Sequence, residues 1–136
     1  MKNFKLILFI FSITTSLFAQ DAAIKLSPEH PNPGDEITLT YDASKGPLAN
    51  AKYVNGVVYT FDNFKWIISD ITLKADGDKK WTTKLKLSDH ASFINCVFKS
   101  DTIIDRGEKM PHAYMFAQVP GAYTGWGLLR SRAFQD

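Results

Sequence analysis

Residues 80–99, KWTTKLKLSDHASFINCVFK, constrain this chain more than any other stretch. Trp81, Thr83, Leu85 and Leu87 fall on one side of an extended chain, and Thr82, Lys84 and Lys86 on the other. Ile94, Cys96 and Phe98 likewise oppose Phe93, Asn95 and Val97. Side chains alternate across a strand, so each run offers one apolar face to a core. Ser88-Asp89-His90 supplies turn-forming polar residues between them. The stretch reads as a β-hairpin, which is marginal alone in water and requires a partner sheet.

The rest of the chain supplies further strands. A short strand is expected over 22–26. Three prolines among the six residues 28–33 then forbid helix or central strand. Residues 36–41 alternate cleanly, with Ile37, Leu39 and Tyr41 inward. Residues 52–61 are rich in Val and Tyr and read as a strand, with a bulge at Asn55-Gly56. Residues 62–66 read as a loop holding Phe64 and Trp66, and 67–73 as a strand with Ile71 and Leu73 inward. Asp76-Gly77-Asp78 marks a turn. Weak strands follow over 102–104 and 113–117, separated by a turn over 105–108. Closely spaced strands with no helix between them indicate an all-β fold: an antiparallel, immunoglobulin-like sandwich of seven or eight strands over 21–118.

The two ends differ from this body. Lys2 and Lys5, the apolar run 6–13 and the small-residue approach to Ala19-Gln20 have the layout of a secretory signal peptide over 1–20. The apolar run is well short of the roughly 20 residues that span a bilayer. Cleavage is expected after Ala19 or Gln20. It removes two lysines, and the remaining fourteen basic residues balance fourteen acidic ones. A neutral chain has no electrostatic footprint for nucleic acid or an anionic membrane. At the other end, Tyr123, Trp126, Leu129 and Ala133 recur at helical spacing after Pro120-Gly121. The segment 119–136 reads either as the start of a further domain or as a helix folded back on the sandwich; the former is expected, since a short helix is marginal without packing.

Residues that carry chemistry are sparse. Cys96 is the only cysteine, it forms no disulfide within the chain, and its place between Ile94 and Phe98 marks it as a buried apolar residue. His30, His90 and His112 fall in expected loops without metal-ligand spacing. Asp76, Asp78, Asp101, Asp105 and Glu108 read as solvated turn carboxylates, and no calcium-loop pattern organises them. There is no G-x-S-x-G elbow, phosphate-cradling glycine loop or C-x-x-C. Aromatic residues are enriched between 53 and 66. Tyr59, Phe64 and Trp66 are the candidate ligand-binding residues, as a stacking surface for sugar rings, set against the demand of a sandwich core for large side chains.

Two resemblances bear on function. PNPGDEITLTYDA, GPLANAKYVNGVVYTFDNFKW and WTTKLKLSDHASFINCVFKSD, in that order, resemble starch-binding carbohydrate modules. Those modules are immunoglobulin-like sandwiches whose loop aromatics stack on glucose, and Trp66 falls near such a position. No W-D-N-N-like segment follows, only residues 101–108. Over more of the chain, a signal ending in FAQ, the sandwich and PHAYMFAQVPGAYTGWG are similar to the N-terminal part of exported thioredoxin-like proteins of the Bacteroidetes type. That similarity implies an accessory module ahead of a redoxin domain, with no redox residue carried here.

The expectation is therefore a non-enzymatic exported module, periplasmic or extracellular, without cofactor. It acts as a spacer or partner surface toward a downstream domain of the same protein or an envelope protein. A carbohydrate-binding module is the alternative, and an enzyme whose site forms only with a missing domain is the third reading. Mass spectrometry of the secreted protein should find a chain beginning at Gln20 or Asp21; an uncleaved Met1 start on exported protein would contradict the signal reading.

Overall fold

A computed structural model of the protein describes residues 22–131. The signal reading over 1–20 and the position of Ala133 lie outside the described residues. The chain runs β1 (Ile24–Ser27), β2 (Glu36–Asp42), β3 (Val54–Asp62), β4 (Lys65–Ala75), β5 (Lys80–Lys86), β6 (Ala91–Ser100), β7 (Ile103–Asp105), β8 (His112–Met115) and α1 (Ala122–Arg130). Every strand pairing is antiparallel.

The strand order is β1-β2-β5-β4-β3-β6-β7, with β8 also on β6. β1, β2 and β5 form one layer; β3, β6, β7 and β8 form the other. β4 belongs to both: residues 65–73 pair with β3, and Lys74 and Ala75 pair with Thr82 and Trp81 of β5. This is the order of an immunoglobulin-like sandwich with one strand shared between its layers.

The stretch 80–99 is therefore not a hairpin. β5 pairs with β2 and β4, and β6 pairs with β3, β7 and β8. The polar link between them crosses from one layer to the other. Its backbone is held by the proline-rich segment instead: Leu87 N–H donates to the Asp35 carbonyl, and Gly34 N–H to the Ser88 carbonyl. Alternation shows which side chains face the core, but a strand that turns back and a strand that arches across both bury the same face.

Between the layers, Ile37, Leu39, Tyr41 and Trp81 meet Val54, Val58, Leu73, Ile94, Cys96 and Phe98. The Tyr41 and Phe98 rings stack across the gap with centroids 3.9 Å apart. Cys96 is a free thiol, fully buried as expected, and burial pushes its pKa up to about 12. Asn55-Gly56 carries no bulge; the irregularity falls at Phe61/Asp62. Gly56 is instead a point of close approach: a Cβ there would lie 2.9 Å from the Val97 carbonyl and 3.1 Å from the Phe98 ring.

β6 is buried on both faces, because α1 folds back on the outer side of the second layer. Trp66, Phe61, Phe93 and Met115 are side by side in register there, and Leu129 and Trp126 close over them. The buried stripe of the helix is Ala122, Gly125 and Leu129, while Tyr123 is 69% exposed. Of the expected face, Trp126 and Leu129 do pack on the sheet, whereas Tyr123 faces away from it. Contact centres on Gly125 because its missing side chain admits the sheet: a Cβ would lie 2.9 Å from Phe93 Cβ and 3.1 Å from the Phe61 ring. No helix among the described residues is long and apolar enough to cross a membrane.

Gly125 and Gly127 share a helix and differ in surroundings, since nothing lies within 4 Å of a Cβ at Gly127. Gly127→Ala should stabilise by up to about 1 kcal/mol through helix propensity. Gly125→Ala should destabilise by about 1–2 kcal/mol through overpacking, despite the same propensity gain. Equilibrium denaturation of the two variants checks this; a stabilised Gly125→Ala would contradict the helix docking.

Candidate functional site

The structure gathers Tyr59, Phe64 and Trp66 at one end of the second layer's outer face. Trp66 lies in β4 rather than in a loop. The connection shrinks to a two-residue turn, Asn63-Phe64, with φ of 48° and 60°, while Asp62 and Lys65 pair across it. Two successive left-handed residues make the turn whose twist matches that of the flanking strands. The Trp66 ring tilts by 47° against Phe61 at 4.7 Å and meets Phe93 edge-on at 6.4 Å. Phe64, at the tip, is 61% exposed and stands edge-on to Phe61. Tyr59 is half-buried opposite Ile68. The rings are inclined to one another rather than coplanar. Trp66 belongs to the cluster beneath α1, and Phe64 is the most exposed of the three.

A second site lies at the opposite edge of the same layer, where sequence reasoning placed only solvated loops. Asp105 pairs in register with Phe98, and His112 with Cys96. Paired residues share a face, so both side chains point into the gap between the layers. Asp105 and His112 are 5% and 4% exposed. Tyr41 O–H reaches across from β2 and donates to Asp105 Oδ2 at 2.6 Å. Gly107 N–H donates to Oδ1 at 2.9 Å. His112 Nε2 approaches the same Oδ1 at 3.0 Å, without the alignment of a full hydrogen bond. The imidazole stands edge-on to Tyr41 and tilted on Phe98.

Local chemistry shapes this arrangement. Gly107 has φ +68°, and a Cβ there would fall 2.4 Å from the Met110 carbonyl, so only glycine closes the turn that aims its N–H at Asp105. A Cβ on Gly46 would sit 2.6 Å from Asp105 Oδ2. Burial pushes the Asp105 carboxyl up, but the close His112 imidazole and the hydrogen bonds from Tyr41 and Gly107 outweigh it and hold the pKa at about 2. Burial pushes the Tyr41 hydroxyl well above its ordinary value, and the Asp105 carboxylate adds to that. At neutral pH this is an ionised carboxylate bound to a neutral phenol.

Above the pair opens a cavity of about 560 Å³. Its walls are the Lys45-Gly46-Pro47 segment, Ala23, and the loop from Ile104 to Met110, with Asp105 and His112 as its inner end. Lys45, Arg106 and Lys109 bring positive charge, and Glu108 negative. A carboxylate–imidazole pair can hold or relay a proton, but among the described residues no hydroxyl or thiol side chain lines the cavity to act as a nucleophile. Asp101 is engaged elsewhere, accepting from Tyr53 O–H at 2.7 Å. Among the described residues no group of His, Cys, Asp and Glu is arranged to hold a metal ion.

The signal for His112 was faint but present. Carrying the alternation of 113–117 back by one residue puts His112 on the side of Tyr114 and Phe116, the side that meets the core. Nothing local distinguishes Asp105 from the other acidic residues around it. His30 and His90 are exposed, as expected of loop residues. Comparison with known proteins finds no match to a family model, a curated protein or a solved structure.

The Asp105 carboxyl ionises at about 2 in the folded protein against an ordinary value of 3.8. A depressed carboxyl contributes stability that is full above pH 4 and is lost as pH falls toward 2. Between those limits the unfolding free energy should fall about 1–2 kcal/mol further in the native protein than in Asp105→Asn. Equal acid slopes in urea titrations would contradict the assignment.

Proposed function

We propose that the protein is an exported, non-catalytic immunoglobulin-like module that works by presenting a surface to a partner, either a further domain of the same protein or another protein of the envelope. The observation that carries this reading is the free side of β4. Residues 65–73 are hydrogen-bonded to β3 on one side, and among the described residues no strand pairs with the other. Ile67 and Ile68 are 45% and 64% exposed on this edge, and Phe64 stands at its tip. An open edge with unpaired N–H and C=O groups is a template for an added strand. The basic start and apolar run before Ala19-Gln20 support export, and the similarity to the N-terminal part of exported thioredoxin-like proteins supports an accessory role.

Carbohydrate binding of the starch type is the second reading, favoured by Phe64, which projects beside Trp66 at the end of the aromatic face. Two measurements separate the readings. A photo-reactive residue at Ile68 should form one defined adduct in producing cells, while the same residue at exposed Lys84, in the other layer, should not. Tryptophan fluorescence should stay unchanged on titration with maltooligosaccharides. Equal labelling from both positions would count against the partner edge, and a saturable fluorescence change abolished in Phe64→Ala would favour the sugar reading.

A further inference from the structure

The near-neutral balance of the whole chain hides a segregated face. The outward positions of the first layer line up in four rows across its strands. The two middle rows are Lys25-Thr40-Thr82-Lys74 and Ser27-Thr38-Lys84. The end rows are Asp42-Lys80 and Glu36-Lys86. Residues paired in a row share a face, and these alternate with Ile37, Leu39, Tyr41 and Trp81, which point into the core. Lys25, Lys74, Lys80, Lys84 and Lys86 are all exposed.

Each end row carries its own acid, and the middle rows carry none. Glu36 also stands 3.8 Å from Lys84. Asp42 accepts from Ser44, and Lys86 donates to the Gly34 carbonyl. Lys25 and Lys74 make no ion pair among the described residues. Five lysines against two carboxylates leave an excess of three on these rows. Glu29 and Asp35 lie beyond one end of the strands, and Asp76, Asp78 and Lys79 beyond the other. Those acids balance the module as a whole but flank the lysine field rather than enter it. The outer face of the second layer is the comparison. Beside α1 its rows are Thr72-Asn55-Lys99 and Asp70-Val57-Val97, with one charge of each sign. A surface stays soluble with interspersed signs, so solubility alone does not call for lysines without acids.

Geometry and chemistry select the occupant. Lys25 and Lys74 are three strand spacings apart, about 14 Å, and Lys84 lies one row away, about 8 Å from Lys74. One carboxylate cannot engage all three, whereas a chain with acids along its length can. The Thr38, Thr40 and Thr82 hydroxyls between them both donate and accept, as sugar hydroxyls require. The rows hold no aromatic or arginine side chain on which a base could stack. They hold no apolar side chain to enter a bilayer. This is a face rather than an edge, so a peptide strand finds no backbone to pair with.

We propose that the outer face of the first layer binds an acidic polysaccharide laid across its strands, with carboxylate or sulfate groups on Lys25, Lys74 and Lys84 and sugar hydroxyls on Thr38, Thr40 and Thr82. The site is independent of the open β4 edge: of β4 only Lys74 takes part, in the segment paired with β5.

Amide NMR of the purified protein in low-salt buffer tests this, with titrations of short polygalacturonate chains, sulfated dextran, amylose and a single-stranded DNA oligonucleotide, and with sedimentation on phosphatidylglycerol vesicles. At least one of the two acidic polysaccharides should give saturable shifts confined to residues 25–27, 36–42 and 74–86, and the tighter of the two identifies carboxylate or sulfate as the group held. Amylose should give none. Binding should weaken roughly tenfold or more in the triple variant Lys25→Gln, Lys74→Gln, Lys84→Gln, as three exposed charge contacts together supply. The triple variant Lys52→Gln, Lys65→Gln, Lys99→Gln removes the same charge from exposed lysines elsewhere and should bind within about twofold of the native chain. Unchanged shifts for β6 would show that each variant keeps the fold. The proposal is overturned if neither acidic polysaccharide saturates, if amylose shifts the same residues, if DNA or vesicles bind as tightly, or if the two triple variants lose affinity equally.

Discussion

The structure depends on burying the Asp105 carboxylate where the two layers meet. An ionised carboxyl inside a protein is costly unless its oxygens are occupied, and here both are. Tyr41 comes from β2 in one layer, His112 from β8 in the other, and Gly107 from the loop between β7 and β8. Much of the surrounding sequence follows from that requirement. Gly46 leaves room for Oδ2, and Gly107 makes the one turn that points an N–H at Oδ1. β7 and β8 must both pair with the same edge of β6, so that Asp105 and His112 face inward side by side. Removing one partner would leave a buried charge unbalanced, so the set stands or falls together.

The same arrangement sets the position of the loop from Arg106 to Pro111 and thereby shapes the cavity. In the second layer β7 and β8 lie at one edge and β4 at the other, with β3 and β6 between. The cavity and the open strand edge therefore sit on opposite sides of the layer. Its outer face is partly closed by α1, which packs through Gly125 onto Phe61 and Phe93. The central strand β6 touches both sides of this layer, since Phe93 belongs to the cluster beneath α1 and Phe98 stacks on Tyr41.

The layers were legible wherever one face meets the core and the other meets water. Ile37, Leu39, Tyr41, Trp81 and Leu87 announce themselves by alternation, and all are buried. Cys96 is buried for the same reason. Pairing was less legible. β5 and β6 are close in sequence and distant in the sheet, because alternation carries no information about partners. Trp66 looked like a loop residue because Asp62, Asn63 and Lys65 surround it, yet the turn needs only Asn63 and Phe64. The buried polar set was the least legible part. Asp105 and His112 stand among Arg106, Glu108 and Lys109, a composition that reads as solvated loop. What makes them interior is a hydroxyl 64 residues earlier in the chain, a relation no local pattern contains.

The most direct test of this account is a double-mutant cycle on Tyr41→Phe and Asp105→Asn, read by equilibrium unfolding at neutral pH. If the cross-layer bond organises this edge, each single change should destabilise the protein. The double variant should then be less damaged than their sum, with a coupling on the order of 1–3 kcal/mol. Losses that add to within about 0.5 kcal/mol would contradict it, and would leave Asp105 as a residue held by its own loop rather than the tie between the layers.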